Sequence, residues 1–260
     1  MIDDRPIPTQ ILSSQQDSAR QYANPVTMVA NLWRRRELIV QFTRRQVVQR
    51  YKGTFLGLLW SFVTPLALLL VYTFVFSMIF QARWPGLNTG SHGEFALALF
   101  AGLIPFTIFS ETTLAAPGLI VTNPNYVKKV VFPLEILPVS SLGGSIVHSM
   151  FSLAILLGGV LLVYGSLSWT IIFLPLIYLP LLLMCLGLGW FFASLGVFIR
   201  DIRHLLGVVV QMLFFLTPIF YPMEAIPYPY RYLIYLNPLT FIVNDFRRVI
   251  IFGQMPDWPE

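Results

Sequence analysis

Residues 136–199, ILPVSSLGGSIVHSMFSLAILLGGVLLVYGSLSWTIIFLPLIYLPLLLMCLGLGWFFASLGVFI, hold no Asp, Glu, Lys or Arg, and this run decides the fold. About 20 uncharged apolar residues suffice to cross a bilayer as a helix, so the run accommodates two spans. Tyr164-Gly165-Ser166-Leu167-Ser168-Trp169 reads as the turn between them, with aromatic residues on each flank as membrane interfaces favour. The spans are then 137–163 and 169–198. Gly143, Gly144, Gly158, Gly159, Gly187 and Gly189 allow helices to pack closely. His148 is the only imidazole in the run. It reads as a hydrogen-bonded packing residue, because proton relays use chains of such groups.

Working outward, the rest of the chain has the same character. A hydrophobic fraction of 56% with 11% charged residues lies outside the range of soluble domains, which need a charged surface. Residues 57–82 carry no charge until their end and form a first span, with Trp60 at the interface and a kink at Pro65. Residues 81–94, rich in Gly and Pro, form an outer loop. A second span, 95–122, contains Pro105, Pro117 and Glu111. A carboxylate inside a span is a functional candidate. With no ionisable partner along the spans, Glu111 reads first as a hydrogen bond to a neighbouring helix. A fifth span covers 205–223. The expectation is an all-α polytopic membrane protein with five visible spans forming a transmembrane domain at 57–223.

Five further regions frame the spans. Residues 1–30 form a polar tail without the apolar core of a cleavable signal peptide. Residues 31–56 carry Arg34, Arg35, Arg36, Arg44, Arg45, Arg50 and Lys52, and read either as a basic helix in the cytoplasmic membrane interface, touching lipid, or as a positive-inside anchor with no further role. Its apolar residues do not form one clean stripe. The loop 123–138, NPNYVKKVVFPLEILP, and the turn 200–204 are the other inner segments. Residues 224–260 are apolar but interrupted by Asn237-Pro238, Asp245, Arg247 and Arg248, and such central charges penalise insertion. They read as two short re-entrant helices, 228–236 and 239–252, dipping into the outer face. This topology puts thirteen of the seventeen basic residues inside and four outside, as the positive-inside rule requires, with the N-terminus cytoplasmic.

Several functions are disfavoured. The basic residues flank membrane spans rather than forming a nucleic-acid patch. The single Cys185 permits neither an internal disulfide nor a multi-cysteine metal site, and no metal is expected. There is no Walker-type phosphate loop, so any ATP hydrolysis belongs to a partner. A membrane-embedded sugar-transferring enzyme needs clustered acidic or histidine groups at one face, and Glu111 and His148 lie on separate segments.

Five pieces together resemble the membrane subunit of ATP-binding-cassette polysaccharide exporters, the O-antigen, capsule and teichoic-acid permeases. They are Arg50-Tyr51-Lys52-Gly53 leading into Leu56-Gly57-Leu58-Leu59-Trp60 and Pro65; residues 127–138; Arg200-Asp201; Thr217-Pro218-Ile219; and Asn237-Pro238-Leu239. The resemblance covers 32–258. It implies a homodimer in the bacterial inner membrane on two cytoplasmic ATPase subunits, which bind ATP and Mg. A lipid-linked glycan, O-antigen in the first instance, passes between the halves as part of lipopolysaccharide biosynthesis. It also implies an ATPase-coupling set of Asn125, Tyr126, Lys128, Lys129, Phe132 and Glu135, with Arg200, Asp201 and Arg203 as a second contact. The outer helices, with Tyr228, Tyr232, Tyr235, Asn237 and Pro238, would be the gate. The family has a sixth span, and this sequence stops at Asp257-Trp258-Pro259-Glu260, where that span would begin. The expectation is a truncated or lost span.

Sugars present apolar C–H faces that pack on aromatic rings. Phe62, Tyr72 and Phe76 of span 1, and Phe214, Phe215 and Tyr221 of span 5, are therefore candidate channel-lining residues. Open alternatives are an exporter of smaller amphiphiles or lipids, the sugar-transferring enzyme, and a scaffold subunit.

Overall fold

The computed structural model describes residues 25–52, 55–79, 84, 92–128 and 132–257, and these are all-helical, without strands. In chain order the helices are α1 (Pro25–Arg34), α2 (Arg36–Tyr51), α3 (Trp60–Tyr72), α4 (His92–Ala115), α5 (Pro124–Lys128), α6 (Ile136–Tyr164), α7 (Leu174–Phe198), α8 (Ile202–Leu216), α9 (Tyr228–Tyr235) and α10 (Pro238–Ile250). The expected tail at 1–30 falls outside the described residues up to 24, and a helix begins at Pro25. The expected single basic helix is two helices, α1 and α2, meeting at Arg35.

Among the described residues three helices are long and apolar enough to cross a membrane: Gly93–Gly118, Ile136–Tyr164 and Trp169–Phe198. Trp60–Phe76 and Ile202–Leu216 are shorter apolar helices. The first span does not run straight: after α3 the chain widens into a π-helical stretch, Thr73–Ile79, where the Thr73 hydroxyl donates to the Leu69 carbonyl at 2.6 Å. The fifth stops at Leu216 rather than 223. Thr217 precedes Pro218 and is extended (ψ 134°), as steric conflict with the proline ring requires. The turn after α6 is closed by Gly165 at φ 72°, whose N–H returns to the Leu161 carbonyl; a side chain there would be strained.

α4 is the axis of the bundle. Within its span 83% of the most apolar stretch is buried by the chain itself, against 17% for α6 and 28% for α7, so α4 is the core of the bundle and the other two leave broad apolar faces uncovered by the chain. Ala98, Leu99 and Ala101 of α4 are fully enclosed. α6 and α7 pack on α4 and on each other, and α10 inserts between α4 and α7.

Close packing rests on some of the expected glycines. A methyl at Gly143 would sit 2.7 Å from the Thr43 hydroxyl of α2, and one at Gly159 would sit 2.6 Å from Leu97 of α4. Gly158 and Gly187, expected to do the same, have nothing within 4 Å. The tightest approach belongs to Gly196, where the Pro117 carbonyl oxygen lies 2.4 Å from the methyl position. The 3-10 turn Ala116–Gly118 rides there directly on α7.

Candidate functional site

Two polar assemblies stand at opposite ends of α4, and both are built by residues far apart in sequence. At the end leading to α5, helix α2 lies along α6 and reaches the 124–135 segment. Arg35 pairs with Glu135 at 2.6 Å. Phe42 of α2, Tyr126 of α5 and Phe132 form a three-ring cluster with centroids 4.8–5.4 Å apart. Arg45 donates to the Tyr126 hydroxyl, and the Trp190 indole N–H of α7 donates to the Glu135 carbonyl at 3.0 Å. The ion pair is half-exposed and contributes little. The rings bury apolar surface and hold the segment to α2. Asn125 is exposed, as are Arg200, Asp201 and Arg203, and Arg203 approaches Gly118. Lys128 closes α5, while Lys129 lies outside the described residues.

Further along α2, Arg50 makes a two-pronged contact with Glu111 of α4, at 2.7 and 2.9 Å. His148 Nδ1 of α6 stands 3.1 Å from the same carboxylate. This corrects the reading of Glu111 as lacking an ionisable partner along the spans. The partner comes from the basic helix, which dips alongside α4 instead of lying apart from the spans. Glu111 and His148, read from the sequence as lying on separate segments, are thus brought together in the wall of one cavity.

The pairing predicts a double-mutant signature. Glu111→Ala and Arg50→Met should each destabilise the chain by about 1–2 kcal/mol, because each strands an opposite charge near lipid. The double variant should lose less than the two losses added. Thermal unfolding of the four proteins in detergent measures this, and strict additivity would show that the two side chains do not interact.

At the other end of α4, Arg247 of α10 is buried at 2% exposure. Its guanidinium donates to the carbonyls of Ala98 (2.7 Å), Pro218 (2.5 Å) and Ile219 (2.6 Å), and lies 4.4 Å from the centre of the Trp84 ring. Asn237 caps α10 by accepting from the Leu239 N–H, and donates to the Thr217 hydroxyl at 2.9 Å. Thr170 donates to the Val249 carbonyl at 2.6 Å. α10 is thus fixed to α4, to the 217–219 turn and to the start of the α7 segment. α9 has only Ile234 buried, and Tyr228, Tyr232 and Tyr235 stand exposed. Sequence reasoning counted Arg247 only as an insertion penalty. The missed signal was Thr217-Pro218, whose break in the helix frees carbonyls for a donor.

The aromatic candidates of spans 1 and 5 fall together in part. Tyr72, Phe76, Phe214 and Phe215 surround Phe220, with centroids 4.9–6.3 Å away. The Tyr221 hydroxyl donates to the Phe215 carbonyl at 2.8 Å. Phe62 is apart from them and meets Phe151 of α6 edge-on at 4.8 Å.

Residues 37–251 match the model of the ABC-2 type transporter family. The chain belongs to that family. This ABC-2 transporter chain is 28% identical over 236 residues to the O-antigen export system permease protein RfbA of Myxococcus xanthus, covering 89% of this chain and 87% of that one. It is 28% identical to an RfbA of Klebsiella pneumoniae, with 84% and 82% covered. It is 26% identical to the polysialic acid transport protein KpsM of Escherichia coli, with 82% and 81% covered. Matching to 251, the ABC-2 family region takes in both assemblies, from α2 to the end of α10.

Proposed function

We propose that this chain is the membrane subunit of an ATP-driven exporter that moves a lipid-linked polysaccharide across the bacterial cytoplasmic membrane. The observation that carries the reading is similarity over most of both chains to permeases named for O-antigen export. The function is transport, and ATP and Mg belong to a partner ATPase.

The architecture gives the reading a mechanism. A hydroxyl-rich polymer cannot cross hydrocarbon without substitute hydrogen bonds, so a protein-lined path between two copies of the chain carries it. The ATPase pushes on the 124–135 segment and on 200–204, both cytoplasmic. Because Phe42, Tyr126 and Phe132 bind that segment to α2, the push reaches Arg50 and, through Glu111 and His148, α4 and α6. α9, loosely held beside a fixed α10, is the moving part of the outer gate.

Deleting the gene should abolish surface polysaccharide while lipid-linked glycan accumulates inside, and the intact gene in trans should restore it. Unchanged surface polysaccharide in the deletion strain would overturn the reading.

A further inference from the structure

Between α2, α4 and α6 lies an open cavity of about 260 Å³, walled by Gln46 and Arg50 on one side and by Ser141, Ser145 and His148 on the other. We propose that it is a subsite for one neutral sugar unit of the exported glycan, beside the candidate path. The proposal rests on the export reading above and names what that reading leaves open, a place where the chain recognises sugar.

The first argument is hydrogen bonding. A serine inside a helix ordinarily returns its hydroxyl to a carbonyl one turn back. Ser140 and Ser149 of α6 do so, donating to the Leu137 and Ile146 carbonyls at 2.9 and 2.8 Å. Ser141 and Ser145, on the cavity face of the same helix, are 8% and 7% exposed and have no such bond or other hydrogen-bond partner among the described residues. Neither hydroxyl is sealed off from the cavity, so both are free to bond a polar occupant there.

The second argument is charge. Arg50 is already matched by Glu111 in a two-pronged pair, and His148 faces the same carboxylate, so the cationic groups of the site are turned toward an anion of the chain itself. The Gln46 amide nitrogen faces the Ser140 hydroxyl at 3.5 Å, and its oxygen lies toward Gly144 as an acceptor. A phosphate has only acceptors and would meet that oxygen and the Glu111 carboxylate unfavourably. A sugar hydroxyl both donates and accepts, which matches hydroxyls, an amide oxygen and the edges of an ion pair.

The third argument is shape and place. The volume is at the small end of ligand pockets, suiting one ring and not a chain. Phe151 and Val47 supply an apolar wall for C–H faces. Phe151 also meets Phe62, the path candidate set apart from the other aromatics, so the cavity borders span 1.

The test uses the complex of this chain with its ATPase in nanodiscs. Cys185→Ala with Val147→Cys leaves one thiol, at a position that lines the cavity and is 37% exposed. Maleimide labelling at 147 is timed with a short prenyl phosphate carrying one neutral hexose, and with the same prenyl phosphate lacking it. The hexose compound should slow labelling and the sugar-free compound should not. Ser141→Ala with Ser145→Ala should raise the protecting concentration about tenfold, as losing two neutral hydrogen bonds implies. Equal slowing by both compounds would show that the lipid phosphate is what binds, and no slowing by the hexose compound would show that no sugar is held; either overturns the subsite. The deletion strain reports on export separately, so lost surface glycan with no protection here sinks the subsite alone.

Discussion

Replacing Arg247 with methionine is expected to lower stability by about 3–5 kcal/mol, since each buried acceptor left without a donor costs about 1–3 kcal/mol. The methionine fills much of the space but leaves the carbonyls of Ala98, Pro218 and Ile219 without their donor in a dry interior. Detergent-solubilised protein should melt roughly 10 °C lower. Arg247→Lys should fall between, since an ammonium keeps charge and donors but cannot hold the planar fork over Trp84. The functional consequence follows from placement. α10, the 217–219 turn and α4 share this side chain, so its loss should free the outer helices and make transport leaky before the protein fails to accumulate. A methionine variant that melts with the wild type would show that the three carbonyls have other partners, and α10 could no longer be treated as a fixed post.

The second large effect is expected at Gly196. An alanine there places its methyl 2.4 Å from the Pro117 carbonyl oxygen and 2.6 Å from the Pro117 Cα, both backbone atoms that no rotamer change can move aside. Overpacking of this kind costs about 1–3 kcal/mol. The displaced element is the 116–118 turn that feeds the 124–135 segment, so coupling to the ATPase should suffer with stability. Gly187 is the control in the same helix. Nothing lies within 4 Å of its methyl position, and Gly187→Ala should be neutral or stabilising by up to about 1 kcal/mol through helix propensity alone. Melting temperatures of the two variants should therefore separate in opposite directions. Equal behaviour would mean that α7 and the turn are not in direct contact.

The contrast between these glycines illustrates what sequence could reveal. The uncharged run 136–199 locates two spans because hydropathy acts residue by residue and needs no partner. The two short helices near the end are legible for a related reason: Asn237-Pro238 ends one helix and caps the next, and the observed helices, 228–235 and 238–250, follow that punctuation. Packing glycines are different. Six could be named as small, but only the chain crossing over them decides which are in contact, and Gly196 was not among the six.

Glu111 and Arg247 were opaque for the same reason. Their partners lie 61 and 149 residues away, at Arg50 and Ala98. The basic helix was hard to place because its packing residues, apolar and polar, serve two neighbours at once. Phe42 faces the 124–135 rings, while Thr43 and Gln46 face Gly143 and Gly144 of α6. No single stripe emerges from such a surface, and its depth beside α4 is set by Glu111.

The central claim is that this chain works as the membrane half of an ATP-driven exporter. Its most direct test is a mild-detergent pull-down of the chain from its native membranes, with every co-purifying protein identified. The account predicts an ATP-binding-cassette ATPase recovered in equal amount, and lost when Phe42, Tyr126 and Phe132 are replaced together by alanine. Recovery of the intact chain without any such ATPase, under conditions that preserve a known exporter complex, would contradict it.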